Sequence, residues 1–217
     1  MEKVSQIPAS PMDFILFPVW LHKKISFRFP GLLIAFAFVG CFDMFFFDNL
    51  FKLPVFSGNI GVLFFRLVFF VLLSLLVGAI DVVCTIYPIA DFAQMIGKRS
   101  EKYVHKKIAI ILMKSYAISH VLSIIPFALA AYSGFDWNQI SPVSTGQARM
   151  LFAILGTLMP ILPLLQLGVL YRTISIRTKI QAFGKLILIL AVYFWIGISG
   201  NAVVFVEEIA YSVLKSM

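Results

Sequence analysis

Five long runs of apolar residues dominate the chain, and short polar stretches separate them. A helix that crosses the hydrocarbon core of a bilayer needs about 20 mostly apolar residues. The runs extend roughly over Phe29 to Phe47, Ile60 to Tyr87, Ile108 to Tyr132, Met150 to Tyr171 and Leu186 to Val206. The pattern predicts five membrane-spanning helices within residues 29–217, the second with a helical extension toward Gly97.

The length and uniformity of these runs exclude strands of a membrane barrel. Such strands are about 10 residues long and alternate between apolar and polar positions. A backbone surrounded by lipid must also satisfy its polar groups within its own segment, which a helix does. The predicted fold class is therefore all-α, an integral membrane bundle of five transmembrane helices.

Residues 1–28 form a separate N-terminal segment before the first run. Between Pro11 and Arg28, aromatic and aliphatic residues are followed by a cluster of cations, and Trp20 suits the headgroup boundary of a bilayer. This pattern predicts an interfacial amphipathic helix on the cytoplasmic face that is kinked, or begins, near Pro18. The alternative is an ordinary juxtamembrane segment without lipid specificity.

The composition supports a membrane protein. Hydrophobic residues make up 61% of the chain and charged residues 13%, and the mean hydropathy is +0.98. A soluble domain has about twice that charged fraction, and a disordered chain has the opposite composition. Both classes are therefore excluded.

Lysine and arginine alternate between the stretches that separate the spans. The counts are 4, 1, 5, 1, 4 and 1 from the N-terminal segment to the C-terminal tail. Because cytoplasmic loops carry the excess of cations, this alternation predicts a cytoplasmic N-terminus and an external C-terminus, in a membrane such as the bacterial inner membrane. It also accounts for the net charge of +8 without a nucleic-acid partner, for which no motif is present.

Five ionisable side chains fall inside the predicted spans and form a candidate intramembrane polar site: Asp43, Arg66, Asp81, Lys114 and His120. Charged groups in a membrane are costly, so each is a candidate functional residue. Their depths predict two ion pairs, Asp43 with Arg66 and Asp81 with Lys114. Such pairs either fix helix register or serve transport. His120 either relays protons or donates one hydrogen bond to a neighbouring helix, and the second interpretation is favoured.

The fourth span carries Pro160 and Pro163 within one turn. Each proline removes an amide donor, so a kink or a helix break is expected there. In the fifth span, a small and polar stretch predicts a packing face: Gly197, Ser199, Gly200, Asn201 and Ala202. Glu207 at the end of this span is expected to be solvated.

Catalytic and metal-binding motifs are absent from the sequence. It contains no HExxH, no GxSxG, no Walker A sequence and no GxGxxG, and its three histidines are far apart. The sequence therefore predicts a protein that is not an enzyme and that binds no cofactor and no metal ion.

Three stretches are similar to the bacterial branch of the Yip1 family of five-span membrane proteins. They are the segment Pro11 to Pro18, the third span from Lys114 to Pro126 with its tyrosine, and the basic connection Gly168 to Ala182. The resemblance implies a role in membrane organisation or trafficking, and it carries over no catalytic residues.

Two functions follow from the sequence. The first is a non-enzymatic membrane organiser that acts through membrane lipids, a protein partner at the cytoplasmic basic loops, or self-association. The second is a transporter or translocator of a small molecule, ion or lipid that uses the buried charges. Convergence of these charges on one water-filled cavity would favour transport, whereas dry, closed contacts would favour the organiser.

Overall fold

The computed structural model describes residues 11–46, 58–133 and 146–216. Every regular element in these ranges is a helix, which confirms the all-α fold class. In chain order they are α1 (Pro11–Ile15), α2 (Val19–Lys24), α3 (Pro30–Phe46), α4 (Ile60–Arg99), α5 (Ile108–Ser119), α6 (Val121–Tyr132), α7 (Gly146–Arg177) and α8 (Ala182–Ser216). Residues 1–10, the predicted span end at Phe47 and Lys52 lie outside the described residues.

Four helical stretches are long and apolar enough to cross a membrane: α4, α5 together with α6, α7, and α8. The shorter α3 has 17 residues, which corresponds to a length of about 26 Å. Helix α4 has 40 residues, so at about 60 Å it is twice as long as a hydrocarbon core is thick. The predicted extension of the second span is therefore present and ends at Arg99.

The third predicted span consists of two helices that meet at His120. The amide of His120 donates to the carbonyl of Ala117 at 3.2 Å. This bond closes a tighter turn than that of an α-helix, and the backbone at His120 keeps a right-handed helical conformation. The chain therefore continues through α5 and α6 with a local tightening at the histidine.

The backbones of α3 and α4 touch at two glycines. A Cβ atom on Gly40 would lie 1.6 Å from the carbonyl oxygen of Ser74, and one on Gly78 would lie 2.0 Å from that of Phe36. Any side chain at either position would collide with the backbone of the other helix. Since Gly40 meets Ser74 and Phe36 meets Gly78, the helices are antiparallel and their register is fixed.

The bundle buries small and medium aliphatic side chains and exposes large ones. Val39, Val82 and Leu112 are fully buried, whereas Phe65 and Phe194 lie on the outer surface. A protein in water rarely presents such a large apolar surface. The outer faces of the long helices therefore suit an apolar environment.

The N-terminal segment differs from the single helix that the sequence predicts. It forms two short helices, and α2 begins directly after Pro18, where the sequence predicts a kink or a start. Phe17 between them has a φ of 61°, a left-handed conformation that ends α1. The break allows the segment to turn back and pack against α7.

We expect Gly40→Ala to lower the free energy of unfolding by at least about 3 kcal/mol, since the added methyl group meets backbone that cannot move aside. Gly197→Ala on α8 is the matched control, because a Cβ atom there has no neighbour within 4 Å. Thermal unfolding in mild detergent measures both variants. Equal midpoints would contradict the direct contact of α3 with α4.

Candidate functional site

Lys114 bonds to the connection between α2 and α3 and not to Asp81. Its Nζ donates to the carbonyls of Ser26 at 2.9 Å and Arg28 at 2.7 Å, and to the Ser26 hydroxyl at 3.3 Å. The predicted Asp81–Lys114 ion pair is therefore wrong. The physical reason is the length of the lysine side chain, which reaches toward the end of the bundle, where carbonyl groups outside helices need donors.

Asp81 accepts hydrogen bonds from two hydroxyl groups. Thr85, one turn along α4, donates at 3.0 Å, and Tyr116 of α5 donates at 3.3 Å. The Thr85 hydroxyl also lies 3.2 Å from that of Ser199 on α8. These four residues, the Asp81 cluster, are all buried, and the exposed fraction of Asp81 is 5%. The cluster joins three helices through closed polar contacts.

Two further carboxyl groups lie close to the Asp81 cluster. Asp43 of α3 lies within electrostatic range of Asp81 and Glu207, and Glu207 of α8 lies within electrostatic range of Asp81. The exposed fraction of Glu207 is 8%, so the expectation of a solvated Glu207 is wrong. Within the described ranges, no lysine or arginine forms an ion pair with these carboxyl groups, and the Asp43 Oδ2 atom is buried without a hydrogen bond.

The predicted Asp43–Arg66 ion pair is also absent, although the structure describes both residues. The register of α3 on α4 explains its absence. Gly40 packs against Ser74 and Gly78, which places Asp43 opposite the turn near Leu73. Arg66 is then about 10 Å away along α4, and its side chain leans toward the start of α4, away from Asp43. Asp81 is about 12 Å away in the other direction, but its side chain leans back toward Asp43. An argument from depth alone misses this offset.

His120 is buried and makes one hydrogen bond to the backbone. Its Nδ1 donates to the carbonyl of Tyr116 at 3.0 Å, because a carbonyl oxygen can only accept. The ring also stands edge-on to those of Tyr116 and Phe42. The predicted hydrogen bond to a neighbouring helix is therefore wrong, because the acceptor lies one turn earlier in the same span.

Of the five predicted site residues, Asp43, Asp81 and His120 are neighbours around Tyr116, whereas Arg66 and Lys114 lie elsewhere. The sequence analysis missed Thr85, Tyr116, Ser199 and Glu207. The spacing of Asp81 and Thr85 by four residues places them on one helix face and is a usable sequence signal. No comparable signal indicates the approach of Ser199 or Tyr116, because both belong to other helices.

Two arginines of α7 hold the N-terminal segment against the bundle. Arg172 forms an ion pair with Asp13 of α1. Arg177 donates from Nε to the carbonyl of His22 at 2.9 Å and from Nη2 to those of Lys23 at 2.6 Å and Ile25 at 2.5 Å. The sequence analysis included Arg172 and Arg177 only in the count of cations between the spans. The structure shows that both hold the N-terminal segment against α7.

His22 is the buried centre of this docking contact, with an exposed fraction of 1%. Its Nε2 donates to the carbonyl of Leu16 at 3.0 Å, and its Nδ1 lies 2.8 Å from the Thr173 hydroxyl. That hydroxyl in turn meets Ser115 of α5 at 2.5 Å. Burial lowers the pKa of His22 below its ordinary value of 6.5, and the charge of Arg177 lowers it further, against opposing hydrogen bonds from backbone groups.

The docked N-terminal segment turns its polar groups inward and its apolar groups outward. Asp13 and His22 are buried, whereas Met12, Phe14 and Val19 are exposed, and the exposed fraction of Phe14 is 79%. The segment therefore presents an apolar outer face and a cationic end at Lys23 and Lys24.

Pro160 and Pro163 do not break α7, which is continuous from Gly146 to Arg177. The predicted helix break is therefore wrong. Both prolines line a cavity of about 510 Å³ between α7 and α8, together with Leu164, Tyr193, Phe194 and Gly197. None of the predicted charged residues lines this cavity. Within the predicted packing stretch, Ser199 contacts Thr85 of α4, whereas Gly197 and Gly200 make no close approach, since a Cβ atom on either would have no neighbour within 4 Å.

Comparison of the chain with protein-family models, with curated proteins and with solved structures gave no match.

Tyr116→Phe removes the hydroxyl that donates to Asp81 and changes little else. We expect a loss of about 1 kcal/mol in the free energy of unfolding, the usual contribution of a hydrogen bond between membrane helices. Tyr193→Phe, on the exposed surface of α8, is the matched control. Unfolding in mixed micelles measures both, and an equal effect of the two substitutions would contradict a bond that joins α4 to α5.

Acidification should release the N-terminal segment. Because the pKa of His22 is lowered in the docked state, the released state binds protons more tightly, and docking weakens as the pH falls below about 6.5. Hydrogen exchange of residues 11–28, corrected for its intrinsic pH dependence, should increase between about pH 7.5 and about pH 5. His22→Gln should abolish this increase, and an unchanged response in that variant would exclude His22 as its source.

Proposed function

We propose that the chain is a non-enzymatic integral membrane protein that organises membranes through protein or lipid partners at its cytoplasmic face. The observation that carries this proposal is the closed bonding of the Asp81 cluster. Asp81 accepts from Thr85 within α4 and from Tyr116 of α5, and Thr85 contacts Ser199 of α8, as expected for a structural contact and not for an open transport path. The resemblance to the Yip1 family points to the same kind of role.

The proposed topology has five spans, with a cytoplasmic N-terminus and an external C-terminus in a bacterial inner membrane. The docking contact supports it independently of the charge count. Arg172 and Arg177, at the end of α7, hold the segment that precedes α3, so these two parts lie on one side. They share a side after an even number of crossings, which requires α3 to cross together with α4, α5–α6 and α7.

The exposed cations favour the connection between α4 and α5 as the contact for a protein partner. Lys98, Arg99, Lys102, Lys106 and Lys107 all expose their side chains there. Dense cationic surfaces attract acidic partners and steer their approach.

The alternative is a transporter or translocator, and one observation favours it. Asp43, Asp81 and Glu207 gather without an ion pair to any lysine or arginine of the described ranges, and carboxyl groups within membranes often mark ion or proton paths. The closed bonds of Asp81 and the apolar lining of the large cavity between α7 and α8 favour the organiser.

Extraction of the full chain from its native membrane, followed by quantitative mass spectrometry, tests the proposal. We expect a protein partner near equal stoichiometry, because the cationic connection offers it a specific surface. The double substitution of Lys106 and Lys107 by glutamine should release this partner. Arg149→Gln, an exposed cation on the opposite side of the bundle, should retain it.

Absence of both a protein partner and a specifically retained lipid from the wild-type extract would contradict the organiser. Retention of a small polar molecule that is lost on Asp81→Asn would support the transporter instead. Release of the partner by Arg149→Gln as well would assign the contact to general charge and not to the cytoplasmic connection.

A further inference from the structure

A two-part groove runs along the bundle beside Lys114. Its apolar part, of about 290 Å³, lies between α3 and α5–α6 and is lined by Ile34, Ala35, Phe38, Ala117 and Val121. Its polar part, of about 230 Å³, lies against α2 and is lined by Leu21, Lys24, Ile25 and Ser26. Gly31, Lys114 and Ile118 line both parts. The two cavities are therefore parts of one continuous groove.

The polar part of the groove is cationic. Lys24 and Lys114 line it, and none of its lining residues carries a carboxyl group. The hydrogen bonds of Lys114 go to two carbonyls and a hydroxyl, which carry only partial charges, so its positive charge is not neutralised. Lys24 is exposed and lies 4.9 Å from the ring centroid of Trp20, a contact that holds its ammonium near the groove.

Gly31 allows the Lys114 side chain to lie directly against α3 where the two parts meet. A Cβ atom there would lie 3.0 Å from the Nζ atom of Lys114. Ile118 lines both parts and Phe38 lines the apolar part. The apolar part therefore begins where the charged part ends. A ligand that fits both parts has an anionic head and an apolar tail.

We propose that this groove binds one anionic phospholipid of the cytoplasmic leaflet. The phosphate lies near Lys24 and Lys114, and one acyl chain lies between α3 and α5–α6. Charge complementarity selects the anionic headgroup, and the apolar lining selects the chain. The assignment deepens the proposed function, because it depends on α3 and α5 being embedded with their Lys114 end at the cytoplasmic surface.

Native mass spectrometry of the full chain in mild detergent tests this site. The protein is titrated with phosphatidylglycerol and, separately, with phosphatidylcholine of the same acyl chains. We expect one phosphatidylglycerol to be retained more tightly than phosphatidylcholine. Lys24→Gln should weaken phosphatidylglycerol binding about fivefold, the effect of one cation at a membrane surface.

Lys23→Gln is the charge-matched control, because Lys23 is an exposed neighbour on α2 that does not line the groove. It should bind phosphatidylglycerol as the wild type does. Val121→Trp fills the apolar part and should reduce the binding of both lipids. Val83→Trp, at an exposed position of α4 outside the groove, should leave the binding of both lipids unchanged. Thermal unfolding of each variant verifies that it is folded.

Three results would overturn the site: equal retention of the two phospholipids, an equal effect of Lys23→Gln and Lys24→Gln, or displacement of phosphatidylglycerol by glycerol phosphate at equal concentration. Displacement by glycerol phosphate would indicate a site that binds the anionic headgroup but not the acyl chain. The titration contains no other protein, so its failure overturns this lipid site alone. Absence of a protein partner in the extraction experiment would overturn the proposed protein contact at the α4–α5 connection and leave the lipid site standing.

Discussion

Polar side chains that are shielded from water must bond to one another or to the backbone, and this constraint organises the bundle. The Asp81 cluster joins α4, α5 and α8 through hydroxyl donors. Lys114 uses its ammonium to hold the carbonyls that precede α3. Arg177 does the same for the end of α2. Each of these contacts joins two elements through a polar group, so the polar residues act mainly as connections within the fold.

The contact of α3 with α4 determines which polar groups meet. Because Gly40 and Gly78 bring the two backbones together, α3 can pack at only one register. At that register the side chains of Asp43 and Asp81 lean toward each other and that of Arg66 leans away, and Asp43 lies within electrostatic range of Asp81 and Glu207. The proximity of these three carboxyl groups is thus a consequence of helix packing. It is also the observation that supports the alternative transport function.

The sequence was sufficient for the helical class, the long apolar helices and the break at Pro18, since apolar length and proline chemistry act locally. It failed for the two ion pairs, because equal depth specifies neither helix rotation nor register. It also selected the wrong glycines. Gly197 and Gly200 stand near other small residues but face open space, whereas the isolated Gly40 and Gly78 make the close contact. Contacts between distant helices require tertiary information that one-dimensional periodicity does not contain.

The proposed organiser uses the end of the bundle where the docked segment, the basic connection and the groove beside Lys114 lie together. Its central claim is that the Asp81 cluster is dry. Ser199→Cys, in a chain whose Cys41 and Cys84 are replaced by alanine, places a thiol beside Thr85 with little change in volume. The decisive measurement is its reaction with a water-soluble thiol reagent in native membranes. The organiser predicts no labelling until the protein is unfolded, whereas rapid labelling of the folded protein would reveal a water path and contradict it.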